Sequence, residues 1–170
     1  APFLASEPPW RGLFWDLARQ DAAALPGAIA LRRTLAGKQY GMTDIAVSDR
    51  SLLSAALSAG LNSEAAALAN DLWAANGGKL PAANRQNLLR NGSFAGAEGL
   101  PPFDWTVTSR AEYGGYIDEG RGILEISALS GVGGAVASQM VALEPGRYRL
   151  TAALDGAPGT TTPDVVVRLS

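Results

Sequence analysis

The period of the apolar pattern changes once along this chain of 170 residues, close to residue 80, and this change limits the fold more than any other feature. Before it, apolar residues recur every three to four positions, the spacing of amphipathic helices. After it, they alternate with polar residues, and glycine, proline and turn dipeptides multiply, as they do between β-strands. The sequence therefore predicts an α+β protein, with helices in residues 1–83 and an antiparallel β-sandwich in residues 84–170.

Cap and stop residues predict four helices in the first half. These run from Trp10 to Ala24, from Pro26 to Gly37 or Gly41, from Ser48 or Asp49 to Gly60, and from Asn62 or Ser63 to Asn76. Helical spacing assigns core positions, which are Trp10, Leu13, Phe14, Leu17 and Ala18 in the first helix, Leu52, Leu53, Ala56 and Leu57 in the third, and Ala65, Leu68, Ala69, Leu72 and Trp73 in the fourth. The short turn around Gly60 makes the last two helices an antiparallel hairpin.

The helices form two pairs that repeat after roughly 40 residues, a period found in helical-repeat proteins. The pairs resemble tetratricopeptide-type units over less than half of the chain. Arrays of this kind normally hold three or more repeats, so the resemblance implies a capping partner or a docked domain. The first half also contains an aromatic stripe, formed by Trp10, Phe14, Trp15 and Trp73. These side chains are expected to pack between the helix pairs and hold them together. Alternatively, they would line a peptide-binding groove in which Arg32 and Arg33 bind polar groups of the peptide.

Alternating segments predict the strands of the second half. These segments are Gly122 to Leu129, Ala137 to Leu143, Tyr148 to Leu154 and Asp164 to Leu169, with turns at Glu144-Pro145-Gly146 and Asp155-Gly156 and a hairpin turn at Gly131-Val132-Gly133-Gly134. Since no helical crossover lies between them, neighbouring strands are expected to pair antiparallel.

Two passages of the second half resemble jelly-roll carbohydrate-binding modules of the galactose-binding-like kind. One is Gln139-x-Val141-x-Leu143-x-Pro145-Gly146-x-Tyr148-x-Leu150, and the other is Leu88-x-x-Asn91-Gly92-x-Phe94 followed by Phe103-x-Trp105. The resemblance implies sugar recognition in an exported or cell-envelope setting, with Tyr148 and Leu150 packed inward beneath Val141 and Leu143.

The chain departs from these modules at two points. Ala95 stands where they usually carry an acidic residue tied to a structural calcium, so no calcium is carried over and no cofactor or metal is predicted. A jelly roll uses about eight strands, whereas roughly six are recognisable here. The sandwich is therefore expected to be incomplete, or to be completed by another chain or segment.

Two clusters are candidate ligand sites. Trp105 offers a flat face for a pyranose ring and Asp104 a carboxylate for its hydroxyls, although a tryptophan here also suits the sandwich core and Asp104 suits a turn after Pro101-Pro102. Tyr113, Tyr116 and Asp118 form the second cluster. Its alternative interpretation is a strand bent at its glycines with solvated acids at its end.

The composition excludes several classes of function. The chain has no histidine and no cysteine, which excludes Ser-His-Asp and Cys-His catalysis and the commonest metal ligands. A net charge of −2 without a basic run argues against nucleic-acid binding, and no apolar run is long enough for a membrane span. Asp118 and Glu119 are adjacent and would point to opposite faces of a strand, which disfavours a glycosidase pair.

We therefore expect a non-catalytic binding or scaffold protein that recognises a polysaccharide through the sandwich, in a periplasmic or exported setting. The alternative is a protein-interaction adaptor, whose helices bind a protein partner and whose sandwich is structural.

Overall fold

A computed structural model describes residues 9–37, 42–75, 87–95 and 99–156, and for residues 42–48 it describes the backbone alone. Within these ranges the chain forms four helices followed by four strands. The helices are α1 (Arg11–Gln20), α2 (Leu25–Thr34), α3 (Met42–Ser58) and α4 (Asn62–Ala75). The strands are β1 (Thr106–Val107), β2 (Tyr113–Asp118), β3 (Ile123–Ala128) and β4 (Ala137–Ser138).

The helices pack as two stacked antiparallel pairs. Short turns join α1 to α2 and α3 to α4, while α1 also contacts α3 and α2 contacts α4. The residues at the centre are fully buried, with Leu53, Leu68 and Ala69 at 0% exposure. Burying a leucine side chain of this kind stabilises the fold by about 1.5–3 kcal/mol. The predicted helical half is thus confirmed, and α4 buries the predicted alanine and leucine face.

Helix α3 begins at Met42, so the prediction of a start at Ser48 or Asp49 was wrong. Asp49 lies inside the helix and only 6% of its surface is exposed. Its carboxylate receives two hydrogen bonds from the Arg32 guanidinium of α2, at 2.6 and 2.8 Å. A residue type that usually caps helices is here the buried partner of a cation.

The buried face of α1 is rotated from the predicted one. Trp15 and Ala18 are buried and Phe14 packs against the core. Trp10, Leu13 and Leu17, which were predicted to face the core, are 50%, 61% and 59% exposed. The apolar residues of α1 span a wider arc of the helix than the part that α2 and α3 cover. One side of this apolar arc therefore remains exposed to solvent.

The four strands form two antiparallel two-stranded sheets, β1 with β4 and β2 with β3. A bridge between Ser109 and Gly114 joins the sheets, and the Gly115 N–H donates to the Thr108 carbonyl at 2.8 Å. The end of β1 therefore lies next to the start of β2, although the two ladders remain separate two-stranded sheets. A facing second sheet is not formed by residues 99–156, so the sandwich itself is not confirmed.

The segment after β4 departs furthest from the prediction. Residues 139–156 form no strand, and the predicted strands at Ala137–Leu143 and Tyr148–Leu154 are limited to Ala137–Ser138. The side chains expected to pack inward are largely exposed, with Leu143 at 44%, Tyr148 at 43% and Leu150 at 53%. The Tyr148 hydroxyl instead donates to the Glu144 carbonyl at 2.6 Å, which closes the bend at Pro145-Gly146 locally.

The stretch from Gly131 to Gly134 is not a hairpin turn, because β3 and β4 do not pair with each other. It belongs to the connection that takes the chain from β3 to the far side of β1. The strand predicted at Asp164–Leu169 and the boundary near Asn84 lie outside the described residues.

The two halves share a core. Phe103, which precedes β1, is 4% exposed and belongs to the same buried cluster as the helices, with Leu100 packed beside it. Among the described segments, no helix combines the length and apolar character that crossing a membrane requires.

Candidate functional site

The ladder of β2 and β3 separates two faces with different surroundings. Its register pairs Tyr113 with Ala128 and Asp118 with Ile123, so alternate residues of both strands share a face. We call the face that carries the following residues the outer face: Gly114, Tyr116, Asp118, Ile123, Glu125 and Ser127. The opposite inner face carries Tyr113, Gly115, Ile117, Leu124, Ile126 and Ala128.

The connection between β3 and β4 covers part of the inner face. A Cβ on Gly134 would lie 2.3 Å from the Tyr113 ring, and a Cβ on Gly115 would lie 2.7 Å from the Val136 side chain. Such approaches are possible only without side chains at the two glycine positions. Tyr113 is therefore enclosed on this side, and the Arg110 guanidinium lies 5.8 Å from its ring centroid.

Tyr116 is the large side chain presented to solvent on the outer face. It is 66% exposed, and Glu125 lies directly opposite it on β3. Gly114, two residues earlier on the same face, leaves no side chain beside the ring. Tyr116 thus offers an aromatic surface and a hydroxyl to solvent, beside the polar side chain of Glu125.

Asp118 lies on the same face, where it closes the turn between the strands. Its Oδ1 accepts the Arg121 N–H at 3.0 Å, and its carbonyl accepts the Gly122 N–H at 2.8 Å. The Arg121 guanidinium also reaches Glu125 at 2.5 Å and lies 3.8 Å from Asp118 Oδ2. Two carboxylates and the guanidinium that contacts them therefore lie on the same face of the ladder as Tyr116, where they offer hydrogen-bond donors and acceptors.

Trp105 and Asp104 lie apart from this group. The Trp105 Nε1–H donates to the Asn91 carbonyl at 3.0 Å, and its ring packs on Phe94 with the centroids 5.1 Å apart. Asn91 and Phe94 both have positive φ, at 46° and 53°. The segment whose resemblance to carbohydrate-binding modules implied a first strand is therefore a tight turn that contacts the indole. Trp105 is half-buried, and one edge of its ring is already hydrogen-bonded.

Asp104 is 4% exposed, and its Oδ2 accepts the Leu100 N–H at 2.9 Å. The turn from Leu100 to Asp104 is further closed by backbone bonds from Phe103 and Asp104 to the Leu100 carbonyl. These contacts match the turn-closing alternative for Asp104. The structure brings together Tyr116 and Asp118 of the five predicted residues, and it places Tyr113, Asp104 and Trp105 elsewhere.

Arg90 is the buried polar residue that the sequence did not indicate. Its guanidinium lies 5.1 Å from the Trp73 ring of α4, and its Nη2 donates to the Asn70 side chain. Gln139 accepts the Arg90 N–H at 3.0 Å and donates to its carbonyl at 2.8 Å. Burial lowers the pKa of Arg90, and the negative charge of Asp104 opposes this shift. Arg90 thus links the two halves of the chain through its contacts with α4 and Gln139.

Within the described ranges, no three acidic side chains are grouped as metal ligands would be. The chemistry available at the outer face is stacking and hydrogen bonding. Comparison with protein-family models, with curated proteins and with solved structures found no match.

Proposed function

We propose that this chain is a non-catalytic binding protein that recognises a neutral polysaccharide on the outer face of the β2–β3 ladder. The observation that carries the proposal is Tyr116, an aromatic ring 66% exposed on the same face of the ladder as the carboxylates of Asp118 and Glu125. An exposed ring can stack on the apolar face of a sugar, while neighbouring carboxylates accept its hydroxyl hydrogen bonds. The resemblance to carbohydrate-binding modules supports the same ligand class and a cell-envelope or exopolysaccharide setting.

The arrangement of the acids supports binding rather than hydrolysis. Asp118 is engaged in the turn by the Arg121 N–H, and Glu125 is paired with the Arg121 guanidinium. A glycosidase needs a raised-pKa acid facing a second carboxylate across a cleft of roughly 5–10 Å. Since Arg121 engages both carboxylates of the outer face, we expect them to accept hydrogen bonds from a ligand rather than to transfer a proton.

A binding assay with matched tyrosine variants tests the proposal. The wild-type protein is titrated with a panel of soluble neutral polysaccharides, and Tyr116→Ala, Tyr116→Phe and Tyr148→Ala are compared on any that bind. We expect Tyr116→Ala to weaken binding by about tenfold, since it removes a stacking contact of about 0.5–1.5 kcal/mol together with the apolar area that the ring buries. Tyr116→Phe keeps the ring and should retain most of the affinity.

Tyr148→Ala is the matched control, because Tyr148 is 43% exposed on residues 139–156 and lies off the outer face. Equal losses in Tyr148→Ala and Tyr116→Ala would reject the outer face as the site. The absence of binding to every polysaccharide in the panel, with a folded wild-type protein, would reject the ligand class.

A second candidate function is a protein-interaction adaptor, and one observation favours it. Trp10, which directly precedes α1, and Leu13 and Leu17 of that helix are each at least half exposed. Exposed apolar rows of this kind often mark protein–protein contacts. If no glycan binds, and Leu13→Ser with Leu17→Ser abolishes association with an identified protein partner, the adaptor function replaces the sugar-binding one.

A further inference from the structure

Strand β3 forms an open edge of its sheet. Among the described strands it pairs with β2 alone, so its other side faces away from the ladder. The Leu129 N–H, at the end of β3, donates to the Glu112 carbonyl at 2.8 Å and thus points towards β2. Backbone groups alternate in direction along a strand, so those of Leu124, Ile126 and Ala128 point to the open side.

The hydrogen bonds of β2 agree with this direction. Gly115 lies opposite Ile126, and its N–H donates to the Thr108 carbonyl at 2.8 Å, on the side away from β3. Opposite residues of an antiparallel ladder either bond to each other or both turn their backbone groups outward. Ile126 therefore turns its N–H and its carbonyl to the open side, where no described residue bonds to them.

The features that usually block such an edge are missing from β3. Proteins protect edge strands with lysine, proline or a bulge. Strand β3 carries neither lysine nor proline, and its register with β2 runs without a bulge. Residues 125–129 are all exposed, with Ile126 at 44% and Leu129 at 60%. The edge thus presents free backbone groups together with apolar side chains.

The edge is complementary to itself when two copies run antiparallel with Ile126 at the centre. Side chains of similar kind then face each other across the two copies, in the pairs Ile126 with Ile126, Leu124 with Ala128, Ile123 with Leu129, and Glu125 with Ser127. Three of the pairs are apolar, and in the fourth a hydroxyl faces a carboxylate that can accept its hydrogen bond. Centring the register on residue 125 would instead set two Glu125 carboxylates opposite each other, which is unfavourable.

We infer that β3 pairs antiparallel with β3 of a second copy of this chain, about a two-fold axis at Ile126. Such an interface uses the same patch on both copies and closes at two chains, because each edge is then occupied. It forms about six backbone hydrogen bonds from the outward groups. Seven paired residues span about 24 Å, so the interface is small and the dimer should dissociate in the micromolar range. The outer face with Tyr116 stays uncovered, and the inference does not rest on the sugar-binding proposal.

Sedimentation velocity at protein concentrations from about 1 to 300 μM tests the inference. We expect a reversible equilibrium of monomer and dimer without larger species. Ile126→Lys sets two lysines face to face at the axis and should raise the dissociation constant by about tenfold or more. Leu150→Lys makes the same change on a leucine that is 53% exposed away from β3, and it should leave the constant unchanged. Far-UV circular dichroism checks that both variants are folded.

Two substitutions at Ser127 test the register itself. Ser127→Lys places an ammonium opposite Glu125 of the second copy, twice in the symmetric dimer, and should tighten the dimer by about threefold or more. Ser127→Glu places like charges in the same positions and should weaken the dimer by a similar factor. A gain of affinity in Ser127→Lys cannot arise from damaged folding.

A covalent cross-link tests the two-fold axis, and the absence of cysteine from the chain makes it specific. Across a hydrogen-bonded antiparallel pair the Cα atoms lie about 5.5 Å apart, a distance that a disulfide spans. Oxidation with copper–phenanthroline should therefore convert Ile126→Cys into a covalent dimer, and Leu150→Cys should remain largely monomeric. A protein that is monomeric at every concentration, an unchanged dissociation constant in Ile126→Lys, or equally efficient cross-linking through Leu150→Cys would overturn the assignment.

Discussion

Arg32 of α2 and Asp49 of α3 form a two-point ion pair inside the helical core, with their side chains only 7% and 8% exposed. The next residue, Arg33, forms a pair with Asp71 of α4 at the same distance of 2.6 Å, but with side chains 43% and 41% exposed. Two adjacent arginines thus connect α2 to two different helices. The two pairs differ in burial, and the buried pair is described with two hydrogen bonds where the exposed pair is described with one. Removing the aspartate from each pair compares the two arrangements.

We expect Asp49→Ala to destabilise the protein by about 3–5 kcal/mol, because it leaves the Arg32 guanidinium buried and without its carboxylate. Asp71→Ala should cost no more than about 1 kcal/mol, since water can solvate Arg33 once the acid is removed. Urea unfolding followed by circular dichroism at 222 nm measures both changes. Losses of equal size would show that burial does not set the strength of these pairs.

The link between the halves gives a second prediction, on Arg90 and the Trp73 ring beneath it. Arg90→Met should destabilise the protein by about 2–4 kcal/mol, because it removes a buried cation from Trp73, Asn70 and the field of Asp104. In a double-mutant cycle with Trp73→Leu, the coupling energy between the two side chains should be about 0.5–2 kcal/mol.

The control for this cycle is Arg90→Met combined with Trp10→Leu, since Trp10 is half exposed at the start of α1 and makes no described contact with Arg90. Those two substitutions should be additive to within about 0.5 kcal/mol. Equal coupling energies in both cycles would mean that the coupling measured between Arg90 and Trp73 reflects general destabilisation rather than a cation–π contact.

The helical half followed from the sequence because helical periodicity and glycine stops are local signals. The start of α3 was missed since Asp49 has the side chain of a cap, and its burial depends on Arg32, 17 residues earlier. The rotation of α1 was missed for a similar reason. Periodicity shows that an apolar arc exists, whereas the neighbours α2 and α3 decide which part of the arc is covered.

The second half shows that alternation of apolar and polar residues does not by itself predict where a strand forms. Strand β3 lies within the strand predicted at Gly122 to Leu129, and β2 corresponds to the alternative interpretation of the tyrosine cluster as a glycine-bent strand. The turn at Asp118–Gly122 that pairs the two strands was not predicted. Leu143 and Leu150 alternate equally well, yet they lie on residues that form no strand in the structure. A strand exists only where another strand supplies hydrogen bonds, and that partner cannot be read from the strand itself. Tyr116 and Asp118 were found together because their spacing of two residues fixes a common face.

The connection between β3 and β4, which covers part of the inner face, gives a third prediction on its neighbouring residues Gly133 and Gly134. A Cβ on Gly134 would lie 2.3–2.5 Å from atoms of the Tyr113 ring, whereas a Cβ on Gly133 would have no atom within 4 Å. Gly134→Ala should therefore destabilise the protein by about 1–3 kcal/mol through overpacking, and Gly133→Ala should be close to neutral.

Thermal unfolding of the two glycine variants measures the difference. Replacing Tyr113 by alanine in the Gly134→Ala background should recover part of the loss, because it removes the ring that the new methyl group meets. A Gly133→Ala variant as unstable as Gly134→Ala would contradict the described path of this connection.

The exposed leucines of residues 139–156 give the last prediction, and it separates the structure from a completed sandwich. Leu150 is 53% exposed, so Leu150→Ser should change the free energy of unfolding by less than about 0.5 kcal/mol. Leu53→Ala, at a position with 0% exposure, should cost about 2–5 kcal/mol and shows the size of a true core loss.

In a completed sandwich, Leu150 would lie between two sheets, and Leu150→Ser would then cost several kcal/mol because a polar hydroxyl would replace buried apolar surface. Urea unfolding of the isolated protein should give the small value. If the same variant loses several kcal/mol, Leu150 is buried in solution and a second sheet covers it. The stability of this one variant therefore decides whether residues 139–156 belong to the core.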